Sequence, residues 1–175
     1  MIRPSRHFPA ILALACALAA GAVTGAERGR EYDVKTAFLY NFALFTEWPA
    51  RAPPGMVYCL LGDDRFGQSL DALASGRLRG GSVEVQRLPA TSGVAKCHVL
   101  FIAARDSDGL RRGVEAARGL PVLTVSDAPL ALAAGVMIAM AYESNRVVFD
   151  VNLDPARQAG LSLSSKLLRL ARAVH

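Results

Sequence analysis

The chain of 175 residues is poor in the side chains that bind transition metals or act as activated nucleophiles. It has only three cysteines and three histidines, and none of them forms a CxxC or HxxxH pair. A zinc site needs three or four such ligands at suitable spacing. The sequence therefore excludes the common zinc-binding motifs, and no metal is expected.

Two catalytic or nucleotide-binding motifs are also missing. There is no GxSxG nucleophile elbow, and the glycine-rich segment at 76–81 lacks the flanking strand and helix of a phosphate loop. The net charge of +5 comes from basic residues spread along the chain, without a charge block or a repeat. These features argue against an enzyme with a cofactor and against a nucleic-acid-binding protein.

Only one long apolar run is present, at residues 8–23, after two arginines and before a group of small residues. This arrangement predicts a secretory signal peptide over residues 1–26. Pro9 and Gly21 interrupt the run, which falls short of the ~20 apolar residues of a membrane-spanning helix. A lipoprotein acylated at Cys16 is the alternative, and either prediction implies export.

Residues 27–175 then form a single domain with a net charge of +3, because two arginines and no acid leave with the leader. No later segment is apolar enough to cross a bilayer. Cys59 and Cys97 remain as an even number of thiols in an oxidising compartment. A disulfide between them is the expected outcome.

The chain alternates helical and extended patterns. Residues 34–48 predict an amphipathic helix, with Asn41 on its apolar arc and Lys35 on its polar arc. Four short β-branched runs follow, at 57–62, 83–88, 98–103 and 121–126, with helical patterns at 66–74 and 107–117 between them. Two further runs around Ser144 and Asn145 predict an antiparallel hairpin, and 162–174 predicts a final helix capped by Ser162 or Ser164.

This order of elements predicts an α/β fold of two or three layers: a mostly parallel sheet with a C-terminal antiparallel hairpin, flanked by helices. Acidic residues follow the ends of predicted strands, at Asp63, Asp64 and Asp106, and Thr124 lies near the end of another. Open α/β sheets bind ligands at this edge. The alternative is that these acids are turn residues and helix caps.

Cys97 and His98 are neighbours in the sequence, but adjacent side chains of a strand point to opposite faces of the sheet. They are therefore not expected to form a nucleophile and its base. A base from elsewhere would have to be His175, the last residue, which lies on a segment expected to fray. Thiol catalysis is not favoured.

Five blocks in order resemble the YfiR family: VKTAFLYNFALFTEWP at 34–49, CHVLFI at 97–102, LTVSD at 123–127, RVVFDVNL at 146–153 and AGLSLSSKLLRLAR at 159–172. The leading helix ending in Trp-Pro and the final block are the most specific. The resemblance implies a periplasmic protein that binds the periplasmic part of an inner-membrane GGDEF diguanylate cyclase and holds it inactive, which lowers cyclic-di-GMP and biofilm formation.

The resemblance also implies that Cys59 and Cys97 match a disulfide of the family, and some family members sense the redox state of the envelope through such bridges. Two departures are visible. Relatives often carry two glycines before Met-Ile, where this chain has Gly135 and Val136, and the second cysteine pair of some relatives is absent. A redox role is therefore less firmly implied than repression.

The sequence thus predicts an exported repressor, a homodimer being compatible with the family, that acts by contact without a cofactor or a catalytic site. The segment between the last strand and the last helix is the predicted partner-binding surface, through Asp154, Pro155, Arg157 and Leu161. The alternative is that this segment is a plain connecting loop. The alternative function is a periplasmic sensor of small ligands that uses the acidic strand ends.

Overall fold

A computed structural model describes residues 29–50, 55–78 and 81–175. The predicted signal peptide and Cys16 lie outside these residues. The helices are α1 (29–44), α2 (Gln68–Asp71), α3 (Ser107–Ala117), α4 (Leu153–Gln158) and α5 (Ser165–Leu168). The strands are β1 (Thr46–Glu47), β2 (Met56–Gly62), β3 (Arg77–Leu78), β4 (Gly81–Leu88), β5 (Val99–Ala103), β6 (Leu123–Ser126), β7 (Ile138–Glu143), β8 (Arg146–Val151), β9 (Ser162–Leu163) and β10 (Ala173–Val174).

In the described part of the chain, eight strands form one sheet in the order β10-β8-β7-β6-β5-β2-β4-β3. Strands β4, β2, β5, β6 and β7 are mutually parallel, and β8 returns antiparallel to β7. Helices cover both faces of the sheet: α1, α2, α4 and α5 contribute to one hydrophobic cluster, and α3 contributes to the other. The predicted α/β class and mostly parallel sheet are confirmed.

The predicted hairpin is also confirmed. Strands β7 and β8 pair from Ile138 and Val151 to Glu143 and Arg146, and Ser144 and Asn145 form the two-residue loop. Both loop residues have positive φ, 47° and 64°, as a type I′ turn requires.

Three predicted helices are shorter in the structure. The helix predicted at 66–74 is α-helical only over Gln68–Asp71 and continues as a 3-10 helix over Ala72–Ser75. Helix α1 ends at residue 44, because Thr46 and Glu47 pair instead with β9 as a short antiparallel strand. At the C terminus, Ser164 caps α5, but the helix stops at Leu168 because the chain returns to the sheet as β10 beside β8. The segment predicted as a connecting loop between β8 and the last helix forms α4 instead.

The buried face of α1 also differs from the prediction. Lys35, predicted on the polar arc, is 2% exposed, whereas Asn41 is exposed and its amide donates to the carbonyl of Ala37 at 2.9 Å. The helix is rotated relative to the predicted arc, because Leu39 and Phe42 pack into the core on the same side as Lys35.

Candidate functional site

The order of the five parallel strands, β4-β2-β5-β6-β7, is the 2-1-3-4-5 order of a doubly wound sheet. The connection from β2 leads to β4 on one side of β2, whereas β5 and the later strands are added on the other side. The order of the strands therefore reverses between β2 and β5. Asp63 and Asp64 follow β2, Arg105 and Asp106 follow β5, and Asp127 follows β6. The charged groups at the carboxyl ends of these strands are the candidate functional site.

Asp63 is held by a bidentate ion pair. The Nη2 atom of Arg105 lies 2.8 Å from its Oδ1 atom, and the Nε atom of Arg105 bonds to Oδ2. The hydrogen bonds to Arg105 lower the pKa of the Asp63 carboxyl below its ordinary value. Asp63 therefore stays ionised and paired, which suits neither a general acid nor an open cation ligand.

Asp64 stabilises the turn between β2 and α2. Its Oδ1 atom accepts from the backbone N–H groups of Phe66 and Gly67, both at 2.9 Å, and its Oδ2 atom accepts from Nε of Arg87 at 2.7 Å. Burial acts to raise the pKa of Asp64, but the bonds from Arg87 and from the two backbone amides outweigh it and lower that pKa. Asp64 has a structural role here.

Asp106 and Thr124 are likewise engaged by backbone groups. The Oδ1 atom of Asp106 accepts from the N–H of Gly109 at 2.7 Å and so caps the start of α3. The hydroxyl of Thr124 accepts from the N–H of Met137 at 3.0 Å. Within the described residues, no group of three or more potential ligands could hold a metal ion.

A buried charge cluster, which sequence reasoning missed, lies across the same edge of the sheet. The Nζ atom of Lys35 bonds to Asp127 and to Glu31, and the Tyr32 hydroxyl donates to Asp127 Oδ2 at 2.8 Å. Arg65 adds a longer bond of 3.4 Å to the Tyr32 hydroxyl. A cavity of about 500 Å³ adjoins this cluster on the side of β7.

Electrostatics keep Lys35 charged despite its burial. Burial acts to lower the pKa of Lys35, but the bonds to Asp127 and Glu31 outweigh it and raise that pKa above its ordinary value. The spacing of Lys35 from Leu39 and Phe42, four and seven residues on, is the signal that could have predicted its inward orientation. The cluster is a rigid ion pair and not a free nucleophile.

The predicted disulfide is present. Cys59 in β2 and Cys97, just before β5, are joined with a Cα to Cα distance of 5.8 Å, and the two residues are 2% and 0% exposed. His98 packs on the opposite face, where its Nδ1 atom accepts from the N–H of Val57 at 3.2 Å and its ring contacts Trp48 edge to face. The cysteine and the histidine therefore form no catalytic pair.

The predicted partner-binding residues lie on and after α4. Asp154 and Arg157 are exposed and face each other across one helical turn, with 3.8 Å between Oδ1 and Nη1. Pro155 is half-buried in the first turn, where the missing N–H of a proline is tolerated. Leu161 is 4% exposed and belongs to the core, so its side chain is not part of the outer surface.

Fold and site together define a doubly wound α/β domain that is cross-linked by a disulfide. The acids at its strand ends are already engaged in ion pairs or in a helix cap. Among the described residues, no helix has both the length and the apolar character needed to cross a membrane.

Comparison with solved structures supports the fold. A conserved domain protein from Vibrio cholerae O1 biovar El Tor N16961 is 11% identical, with a TM-score of 0.52 over 70% of this chain and 56% of that one. The ABC domain from Streptococcus pneumonia, solved with L-Trp, is 12% identical, with a TM-score of 0.47 over 69% of this chain and 55% of that one. The chain thus spans little more than half the length of each protein, and the first likeness shows a related fold alone.

The family is shown by the sequence itself. Residues 32–172 match the family described as YfiR/HmsC-like, and the chain belongs to that family. This family is regulatory, and membership supports, in general terms, a periplasmic regulator of diguanylate cyclase.

Proposed function

We propose that this protein is exported to the periplasm, where it binds the periplasmic domain of an inner-membrane GGDEF diguanylate cyclase and represses it. Repression would lower the concentration of cyclic-di-GMP and so limit biofilm formation. The observation that carries the proposal is the family match, which spans residues 32–172. The buried disulfide supports it, because such bridges persist in oxidising compartments such as the periplasm.

Repression of this kind needs contact and no chemistry. The protein must bind the inactive cyclase more tightly than the active one, and each ~1.4 kcal/mol of that preference shifts the population tenfold. A rigid scaffold suits this mechanism, because little conformational entropy is then lost on binding. The disulfide ties β2 to the residue just before strand β5, and the buried Lys35–Asp127 pair ties α1 to the loop after β6, so both restrain the scaffold.

We assign the contact surface to α4, through Asp154, Pro155 and Arg157. The two charged side chains are 79% and 69% exposed, and an exposed pair of this kind contributes little to stability. Both charges are therefore available for exchange with the charges of a partner at little cost to the fold. Leu161 contributes by anchoring the segment after α4 in the core.

The test is a binding assay between the mature protein and the purified periplasmic domain of a candidate cyclase. The double variant Asp154→Ala/Arg157→Ala is compared with Asp108→Ala/Arg111→Ala, which removes an exposed ion pair of the same spacing from α3. We expect the first variant to bind at least tenfold more weakly and the second to bind as the wild type does. Equal binding by all three proteins would remove the assignment to α4.

The wider proposal is tested in cells. Deletion of the gene should raise intracellular cyclic-di-GMP, and the mature protein should retain an envelope cyclase in a pull-down from membranes. If deletion leaves cyclic-di-GMP unchanged and the protein retains no cyclase, the repressor function is wrong. Light scattering on the same purified sample distinguishes a monomer from the homodimer compatible with the family.

A further inference from the structure

A cavity opens between β2 and β5, where the order of the strands in the sheet reverses. It lies between the carboxyl ends of β2 and β5, beside the first turns of α3, and its volume is about 600 Å³. Gly62 allows the close approach of the two strands here: its φ is +105°, and a Cβ atom at this position would overlap the carbonyl oxygen of Ala103. Ligands of open α/β sheets bind at this topological position.

The size of the cavity decides what class of ligand it fits. Sites for small molecules measure about 300–1,000 Å³. The cavity lies inside that range and is much larger than the space that one partner side chain would fill. A small organic molecule is therefore the fitting occupant.

The walls of the cavity combine apolar and charged side chains. The apolar side chains come from the ends of β2, β4 and β5 and from the segments that follow β4 and β5: Leu61, Leu88, Pro89, Ala90, Ile102 and Ala104. Thr91 is the hydroxyl-bearing residue among the lining groups. Such walls favour a ligand with a hydrocarbon body over a fully hydrated inorganic ion.

The charged lining groups differ in how far they are already satisfied. Asp63 and Arg105 pair with each other, and the carboxylate of Asp106 caps α3. Asp106 thus takes the anion position at the start of this helix, so the helix end offers no further anion site. Arg112, in the second turn of α3, is exposed and also lines the cavity, and the ion pairs among the described residues do not include it.

We propose that this cavity binds a small organic carboxylate, with the carboxylate paired to Arg112 and the hydrocarbon body packed against Leu61, Leu88 and Ile102. An arginine is suited to this role, because its planar guanidinium donates two parallel hydrogen bonds to one carboxylate. This cavity shares Asp63 and Asp106 with the predicted sensor site at the acidic strand ends, but the group proposed to bind the ligand is a cation. This ligand site does not depend on the proposed repressor function, and a separate experiment tests it.

Hexanoate is the probe, because it combines one carboxylate with a flexible apolar chain. Its binding to the mature protein is measured by calorimetry and by amide chemical shifts in a ¹⁵N-resolved NMR titration. Hexanamide, which has the same length and no charge, and inorganic phosphate, which has charge and no apolar body, are titrated in parallel. We expect hexanoate to bind more tightly than both and to shift the amides of Gly62, Ala90 and Gly109.

Arg112→Gln is the test variant, and Arg111→Gln is its matched control. Arg111 is the preceding residue of α3, is exposed, pairs with Asp108 and does not line the cavity. We expect Arg112→Gln to weaken hexanoate binding roughly tenfold to a hundredfold, the usual effect of losing a charged hydrogen-bonding partner. Arg111→Gln should leave the affinity unchanged.

Four results would overturn the assignment. Absence of binding at millimolar hexanoate would exclude the site. Equal binding of hexanoate and hexanamide, or equal losses in the two arginine variants, would exclude Arg112 as the anion-binding group. Phosphate binding as tight as hexanoate binding would exclude an organic ligand class.

Discussion

The Nζ atom of Lys35 lies 2.5 Å from the Oδ2 atom of Asp127, although the two residues are 92 positions apart in the sequence. Both side chains are almost fully buried, and Glu31 and the Tyr32 hydroxyl bond to the same pair. The cluster joins α1 to the loop after β6. It thereby holds α1 across the carboxyl ends of the strands, where the charged residues of the candidate site converge.

Replacement of Lys35 by methionine should therefore destabilise the protein strongly. Methionine fills a similar volume, but the buried carboxylate of Asp127 and the half-buried carboxylate of Glu31 would lose the ammonium group that pairs with both. Removing one partner of a buried pair costs about 3–5 kcal/mol, a large share of the ~5–15 kcal/mol that stabilises a typical domain. Urea unfolding followed by the fluorescence of Trp48, the single tryptophan, measures the change.

Lys166→Met provides the control, because Lys166 is exposed on α5. Its effect should stay within about 0.5 kcal/mol, as for most surface substitutions. The double variant Lys35→Met/Asp127→Leu should lose less stability than Lys35→Met alone, because it removes the unpaired charge. If Lys35→Met proves as mild as the control, the buried pair does not contribute as described.

The burial of Lys35 also shows where reading the sequence failed. The predicted arc of α1 placed Lys35 outward and Asn41 inward, but the helix buries Lys35 and Thr36 and exposes Val34 and Asn41. The long aliphatic side chain of a lysine can be buried at a tolerable cost when its ammonium group pairs with a carboxylate, which here is Asp127 on a distant loop. Because Asp127 lies 92 positions from Lys35 in the sequence, no local pattern identifies Asp127 as the partner.

Some features of the fold and of the candidate site could likewise be predicted from the sequence, and others could not. The disulfide could be predicted because removal of the predicted signal peptide leaves two cysteines, which can pair in only one way, and the hairpin could be predicted because Ser144 and Asn145 separate two extended runs. The cavity beside Arg112 could not, because it depends on which strands become neighbours in the sheet. The C-terminal segment has a helical pattern, yet Arg172 reaches Asp150 and the chain joins the sheet.

The C-terminal strand should detach at low pH. Arg172 holds Asp150 through two bonds, Nε to Oδ1 at 2.9 Å and Nη2 to Oδ2 at 2.5 Å, and these bonds lower the pKa of Asp150 below its ordinary 3.8. Because the unfolded chain takes up this proton first, the contribution is complete above pH 3.8 and is lost as the pH falls through the lower folded-state pKa. NMR shifts of Ala173 and Val174 between pH 6 and pH 2 report the release.

Asp150→Asn should shift the same two resonances toward coil values at every pH, because the amide cannot form the charged pair. Asp154→Asn is the matched control, since Asp154 is exposed and lies on α4, away from β10. C-terminal resonances that respond equally to both variants, or to neither, would contradict a specific role for the Asp150–Arg172 pair.

The turn of the hairpin offers a stabilising substitution. Ser144 has a φ of 47°, a left-handed conformation that costs an ordinary residue about 1–2 kcal/mol and that asparagine tolerates better. Ser144→Asn should therefore raise the free energy of unfolding by up to about 1 kcal/mol, and Ser144→Val should lower it by a similar amount. Asn145 is kept, because its Oδ1 atom accepts from the Tyr142 hydroxyl at 2.7 Å.

The urea midpoint measures both changes. Ser82→Val is the control for the valine substitution, because Ser82 is exposed in the extended backbone of β4, where valine is favourable. A Ser144→Val protein as stable as the wild type would show that the turn is not constrained to the left-handed conformation.

The disulfide should behave as a structural staple and not as a redox switch. Cys59 and Cys97 are buried between the sheet and α3, and the thiol–disulfide exchange that operates a switch needs access to a sulfur atom. Dithiothreitol should therefore reduce the bridge only when urea is added, as measured by thiol trapping and mass spectrometry of the mature protein.

Cys59→Ala/Cys97→Ala should lower the free energy of unfolding by about 4 kcal/mol at most, the chain-entropy value for a loop closed over a separation of 38 residues. Rapid reduction without urea, together with weaker binding to a cyclase domain, would instead favour a redox-sensitive repressor, and two free thiols in protein purified from the periplasm would exclude both roles.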